Sequence, residues 1–163
     1  MEIDRTVPWG FFDGAAQENL CGGGAIIFLS ETRSFELMVG LWEVINNYVE
    51  LLNLKLLLIF SPQRGCRTLN VCGDSMNVIN WIKGIQICGN LRLANILSSI
   101  EAFLETYDSF SCRHVYRENN KEAEKASEEG LQLTIGQWKI RELLDGTIHE
   151  YYHRPFIEGV AQE

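Results

Sequence analysis

The chain has 163 residues, 46% of them hydrophobic, with three prolines and a formal net charge of −8. That is the size and composition of one globular domain with a sizeable core, and no apolar run reaches the roughly 18 residues of a membrane helix. The acidic balance argues against a nucleic-acid binder that works by phosphate neutralisation alone, but less against a nuclease, whose own carboxylates carry part of the charge and are offset by bound cations.

The N-terminus, Met1-Glu2-Ile3-Asp4-Arg5, is mixed in charge and has no apolar signal-peptide core. Cys21, Cys66, Cys72, Cys88 and Cys112 form no CxxC pair. They read as free thiols in a reducing, intracellular compartment, nucleus or cytoplasm left open.

Trp9–Asp13 predicts a first strand, closed by the turn pair Asp13-Gly14. Residues 22–29 predict a second, entered through glycines. Residues 34–42 predict a third, with Phe35, Leu37, Val39 and Leu41 alternating with polar or small residues. Short connections make this an antiparallel start. From Asn47 to Phe60 the chain is apolar almost all round, as in a helix buried between a sheet and other helices. Pro62 and Gly65 end it. Thr68–Cys72 is a short strand, Ser75–Lys83 a helix stopped by Gly84, and Leu91–Phe103 a helix with Leu93, Ile96, Leu97 and Ile100 on one face. Phe110–Tyr116 is a fifth strand, and Asn120–Glu129 a charged helix ending at Gly130. A hairpin around Asp145-Gly146 follows, carrying Trp138, Ile140, Leu143, Ile148, Tyr151 and Tyr152. Antiparallel strands followed by alternating helices and strands predict an α/β domain with a mixed sheet. Residues 7–131 form that domain, and residues 132–163 an appended extension.

Four acids fall near predicted element ends: Asp13, Glu50, Asp74 and Glu124. Each has an ordinary reading. Asp13-Gly14 is a turn pair. Asn47 and Glu50 fit a reciprocal helix cap. Asp74 caps the next helix. Glu124 sits among the solvated acids of its helix. Together they read differently. Ligands in open α/β sheets bind beyond the carboxyl ends of strands, and an acid at each such place is what a hard divalent cation requires.

In order and spacing the chain resembles a type 1 ribonuclease H domain of the reverse-transcriptase-like branch found in plant retroelements. The strings that carry the likeness are Phe12-Asp13-Gly14-Ala15, Gly22-Gly23-Gly24-Ala25-Ile26-Ile27, Asn46-Asn47-Tyr48-Val49-Glu50-Leu51 and Gly73-Asp74-Ser75. They continue with His114-Val115-Tyr116-Arg117-Glu118-Asn119-Asn120, Glu122-Ala123-Glu124 and a tail from Gly136-Gln137-Trp138 to Arg154-Pro155-Phe156.

The resemblance implies a ribonuclease H-like five-stranded mixed sheet, ordered 3-2-1-4-5 and flanked by helices, with the hairpin appended. It implies an endonuclease that hydrolyses the RNA strand of RNA/DNA hybrids with two Mg²⁺ ions, Mn²⁺ substituting. Asp13, Glu50, Asp74 and Glu124 are its implied catalytic and metal-ligating acids, although the fourth is an aspartate in the family. Asn46, Asn47, Gly22, Gly23, Ser75 and Arg117 fall where substrate contacts are implied, the glycines by letting a nucleic-acid strand come close. His114 falls where a proton-shuttling histidine is implied, or serves structurally in its strand.

The family's basic protrusion has no counterpart between Lys83 and Leu91. This predicts weak hybrid binding by the domain alone and a tethered reverse transcriptase as partner. The short lead before the first strand predicts either a free-standing retroelement derivative or a polyprotein fragment. Two alternatives stand beside the enzyme: a catalytically inactive domain of the same fold acting as a nucleic-acid-binding or interaction module, and a small α/β domain whose acids do not meet.

Overall fold

The computed structural model describes residues 5–42 and 46–153; the tail string Arg154-Pro155-Phe156 lies outside them. The strands are β1 (Trp9–Gln17), β2 (Leu20–Phe28), β3 (Arg33–Trp42), β4 (Thr68–Gly73), β5 (Ser109–His114), β6 (Trp138–Leu144) and β7 (Thr147–His153). The helices are α1 (Asn46–Gln63), α2 (Met76–Lys83), α3 (Ala94–Leu104) and α4 (Lys121–Gly130). Among the described residues, all seven strands form one sheet, ordered β5-β4-β1-β2-β3-β6-β7. β1, β2 and β3 pair antiparallel, while β4 and β5 add to β1 in parallel. Helices α1, α2 and α3 cover one face, and α4 crosses β1, β2 and β3 on the other.

The sheet is therefore seven-stranded, which corrects the expected five, although the order 3-2-1-4-5 survives inside it. β6 pairs with β3 from Val39↔Trp138 to Arg33↔Leu144. The alternation of β6 explains why. Trp138 and Ile140 are buried, and the Trp138 ring meets Phe60 of α1 edge-on. On the opposite face Arg141 binds Glu129 of α4 at 2.9 Å and Glu150 of β7 at 2.7 Å, and also reaches Glu36 of β3. The hairpin thus covers an edge that β3 would otherwise expose. Its turn, Asp145-Gly146, has φ of 50° and 83°, the mirror-image turn that suits the twist of a hairpin.

A second correction concerns Asp13-Gly14. The pair lies inside β1, which runs on to Gln17, and the turn comes at Glu18 with φ of 54°. Gly14 is needed there for room: a Cβ would stand 2.8 Å from Cγ1 of Val49 on α1. Helix α1 is apolar on nearly every side and buried accordingly. It runs through Pro62 before Gly65, at φ of 76°, turns the chain. Proline has no N–H for the carbonyl four residues earlier, at Leu58. The buried Tyr107 hydroxyl donates to that carbonyl instead, at 2.8 Å. The third helix begins one turn later than expected. A 3₁₀ turn over Leu91–Leu93 leads into α3, capped by Asn90 Oδ1, which accepts from the Arg92 N–H at 2.9 Å.

Candidate metal centre

The site forms where the parallel pairing of β1 and β4 stops. The last pair is Phe12↔Gly73, so Asp13 and Asp74 follow side by side. Asp13 lies opposite Gly24. A Cβ on Gly24 would run into Ala126 and Ser127 of α4. Cross-strand partners share a face, so the Asp13 side chain leaves the sheet on the α4 side. Glu50 comes from the second turn of α1, which the missing Cβ of Gly14 lets lie close to β1. Asp13, Glu50 and Asp74 each present a carboxylate oxygen within 4.8 Å of the other two.

Three carboxylates at that spacing oppose one another's ionisation. Burial, and then the charge of Asp74, push Asp13 up from 3.8 to about 7. Burial, and then Asp13 and Asp74, push Glu50 up from 4.5 to about 8, against a hydrogen bond from Ser75. The donors are hard oxygens, the set that suits Mg²⁺, Mn²⁺ or Ca²⁺. A cation would remove the repulsion that the fold has built in.

The acids open onto a cleft of about 810 Å³. Asn46 and Asn47 line it from the first turn of α1, and Gln17, Glu128 and Gln132 are also on its walls. Glu124 and Arg117 line it from α4 and the turn before it. Glu124 stands outside the group of three. Its carboxylate meets Arg117 Nε at 3.5 Å, with side-chain exposures of 34% for Glu124 and 79% for Arg117. The ion pair made by Arg117 is thus with a candidate ligand.

Three implied site residues sit elsewhere. At Gly22 and Gly23 it is protein that comes close where a side chain would stand. A Cβ on Gly22 would meet Ser127 and Leu131 of α4, and one on Gly23 would stand 2.8 Å from Val39 Cγ1 and 3.2 Å from Asn53 Oδ1. These glycines let α4 and α1 settle on β2. His114, implied as a proton shuttle or as a structural histidine of its strand, lies on another element. It ends β5 opposite Gly73, whose Cβ direction points at the Phe12 ring on the helix α1 side. Its own ring packs edge-on against Tyr116 at 5.5 Å, away from the cleft walls. Ser75 supports the site from behind, accepting from the Val78 N–H at 3.3 Å as the cap of α2 and bonding Glu50.

Two asparagines were not singled out from sequence. Asn53, one turn after Glu50 on α1, is buried and donates to the backbone carbonyls of Asp13 and Gly24. It tethers the helix to the strand pair that carries Asp13. Asn120 donates to the Phe12 carbonyl at 3.1 Å and to Asp74 Oδ2 at 3.0 Å. Asn53 was visible as a polar break in an apolar helix. Asn120 was visible only as a helix-start residue, and nothing local points from it to Asp74.

A family model described as reverse transcriptase-like matches residues 11–130. The chain belongs to that family. The span matched to the reverse transcriptase-like family holds every acid of the cleft and leaves the β6–β7 hairpin outside it. Among solved structures, the fold is similar to that of RNase H1 from the halophilic archaeon Halobacterium salinarum NRC-1, with TM-score 0.70 and 22% identity over 77% of this chain and 97% of that one. It is similar to LC11-RNase H1 in complex with RNA/DNA hybrid, with TM-score 0.71 and 20% identity over 77% of this chain and 96% of that one. The N-terminal RNase H domain of a Mycobacterium tuberculosis protein gives TM-score 0.69 and 18% identity over 77% and 93%. These likenesses establish a ribonuclease H-type fold for this member of the reverse transcriptase-like family. A search of curated proteins finds no match.

Proposed function

We propose that the domain is a divalent-metal-dependent endonuclease that hydrolyses the RNA strand of RNA/DNA hybrids. The observation that carries the reading is the cluster of Asp13, Glu50 and Asp74 within 4.8 Å, in a cleft, on a ribonuclease H-type fold. It gains support from the hybrid held by a structure of the same fold. The residues fit a metal: their donors are carboxylate oxygens, and burial together with the neighbouring acids holds Asp13 and Glu50 above the usual carboxylate range, an arrangement that a bound cation would relieve.

Asp13, Glu50 and Asp74 would hold the two Mg²⁺ ions that this reading requires. Bound cations would supply activation of water and neutralisation of the charge that builds on the scissile phosphate. The chain supplies the rest. Asn46 and Asn47 offer uncharged amides on the cleft wall, suited to hydrogen bonding with sugar 2′-hydroxyls, the groups that distinguish RNA from DNA. Arg117 is the cleft-wall cation whose guanidinium suits a phosphate. Glu124 is the fourth carboxylate. Because the cleft is acid-rich and the segment from Gly84 to Leu91 carries no lysine or arginine, affinity for hybrid is low in the isolated domain. A tethered partner such as a reverse transcriptase would raise it through effective concentration.

The pairing of Glu124 with Arg117, apart from the other three acids, favours a second reading: an inactive domain that binds nucleic acid without cutting it. One experiment separates the two. Labelled RNA/DNA hybrid is incubated with the full chain in Mg²⁺ and in Mn²⁺, with Asp74→Asn as control. Cleavage of the RNA strand that disappears in the control supports the enzyme. Hybrid binding without cleavage in either metal supports the inactive module.

A further inference from the structure

Asn120 is 1% exposed and stands where α4 begins. An asparagine at that place ordinarily turns its side-chain oxygen back onto the first N–H groups of the helix. Asn120 makes no such bond. Its amide nitrogen points the other way, to the Phe12 carbonyl at 3.1 Å and Asp74 Oδ2 at 3.0 Å. Both partners accept and neither donates, so the atom facing them must be the NH₂. A hydroxyl has one hydrogen for two acceptors, and a carboxylate would repel both. The amide oxygen meets no protein donor and is buried. The side chain therefore gives up its capping role and leaves one of its own acceptors unmatched, while reaching two points next to the acid cluster. Phe12 precedes Asp13 in β1, and Asp74 is itself in the cluster. The backbone carbonyl of Asn120 also accepts from the N–H of Glu124 at 3.0 Å, so the same residue sets the turn that carries the fourth acid.

We propose that Asn120 is a positioning residue that holds one oxygen of Asp74 and so fixes how that carboxylate meets a divalent cation, an inference that rests on the metal-dependent reading above. By itself Asp74 follows the end of a strand and precedes a short helix, with rotamer freedom that a cation would have to remove. One hydrogen bond from a buried amide, itself anchored by a second to the Phe12 carbonyl, restrains it beforehand. Partners of this kind behind a ligand typically change metal affinity by about 10- to 100-fold when deleted.

The test is Mn²⁺ binding by titration calorimetry on the full chain, for wild type, Asn120→Ala and Tyr107→Phe. Tyr107→Phe removes a buried hydrogen bond to Leu58 on the far side of the core and reports what general destabilisation does to the metal. Asn120→Ala is expected to weaken Mn²⁺ by about 10-fold or more, with Tyr107→Phe unchanged. Equal Mn²⁺ affinity in Asn120→Ala and wild type would overturn the positioning role while leaving the metal site standing. Wild type that binds no Mn²⁺ would remove the metal reading, and this inference with it. A measurement on wild type alone covers the case in which Asn120→Ala fails to fold. The side-chain amide resonance of Asn120 is expected to exchange slowly with solvent and to shift as Mg²⁺ is added. A resonance that Mg²⁺ leaves in place would overturn the proposal.

Discussion

Replacing Asp13 by Asn should raise metal-free stability, by an advantage over wild type that grows with pH. Asp13 is 7% exposed, and its carboxyl is pushed from 3.8 up to about 7. A carboxyl raised in this way holds its proton more tightly folded than unfolded. Between about pH 4 and pH 7 the unfolded chain therefore carries fewer protons, and stability falls as pH rises through that window. Each decade is worth about 1.36 kcal/mol. The gap of about three decades makes the ionised Asp13 cost about 4 kcal/mol above pH 7 and almost nothing below pH 4. Asn cannot ionise and so escapes that cost. It also loses the hydrogen bond that the ionised Asp13 accepts from the Gly14 N–H, so the expected gain at pH 8 is about 2–4 kcal/mol. The assay is urea denaturation in EDTA at pH 4, 6 and 8, comparing midpoints at constant slope. The advantage of Asp13→Asn should be largest at pH 8 and nearly vanish at pH 4. Mg²⁺ at about 1,000 times its dissociation constant should then cancel or reverse that advantage, because it adds about 4.1 kcal/mol to the form that binds it. An Asn variant less stable than wild type at pH 8 in EDTA, or an advantage independent of pH, would refute the reasoning that these acids are crowded and lack a counterion.

Two further expectations test other parts of the structure. Glu124→Asp shortens the fourth acid by one methylene and takes it out of reach of Arg117, now 3.5 Å away. With the charge unchanged and helix propensity altered by only a few tenths of a kcal/mol, hybrid cleavage in Mg²⁺ should increase, with a smaller increase in Mn²⁺ because Mg²⁺ tolerates less departure from octahedral geometry. Unchanged cleavage rates in both metals would show that the length of this side chain does not limit the reaction. Gly24→Ala puts a methyl into the backbone of α4 at Ser127 and Ala126, with Ala123 O only 2.7 Å away. Backbone cannot move aside as a side chain can, so the loss should lie at the upper end of the overpacking range, about 3 kcal/mol, read as a lower urea midpoint. A loss below about 1 kcal/mol would mean that α4 does not lie as close to β2 as the structure has it.

Much of the architecture could be read from local pattern because local pattern is what periodicity encodes. Residues 34–42 alternate with period two, and β3 covers them. Leu93, Ile96 and Ile100 share a helical face, and all three are buried. Gly84, with φ of 75°, ends α2 where a glycine stop was expected. The acids Asp13, Glu50 and Asp74 were legible as candidates through their order and neighbours. Their meeting was expected from the family likeness, but no local pattern shows it, since it depends on β4 ending level with Phe12 and on α1 lying close over Gly14. No residue carries either fact alone. Asp13-Gly14 shows how tertiary structure overrides a local signal: the pair has turn chemistry, yet it stays in β1 because β2 supplies a partner opposite each residue and α1 needs the space that Gly14 leaves. The glycines of β2 were visible as glycines, but only the packing of α4 and α1 shows what they make room for. The hairpin was visible as a hairpin, while its place beside β3 was settled by the free edge there and by Trp138 finding Phe60. Asn120 is the furthest case. Sequence marks it as the start of a helix, and only the fold brings its amide to Asp74, 46 positions away in the chain.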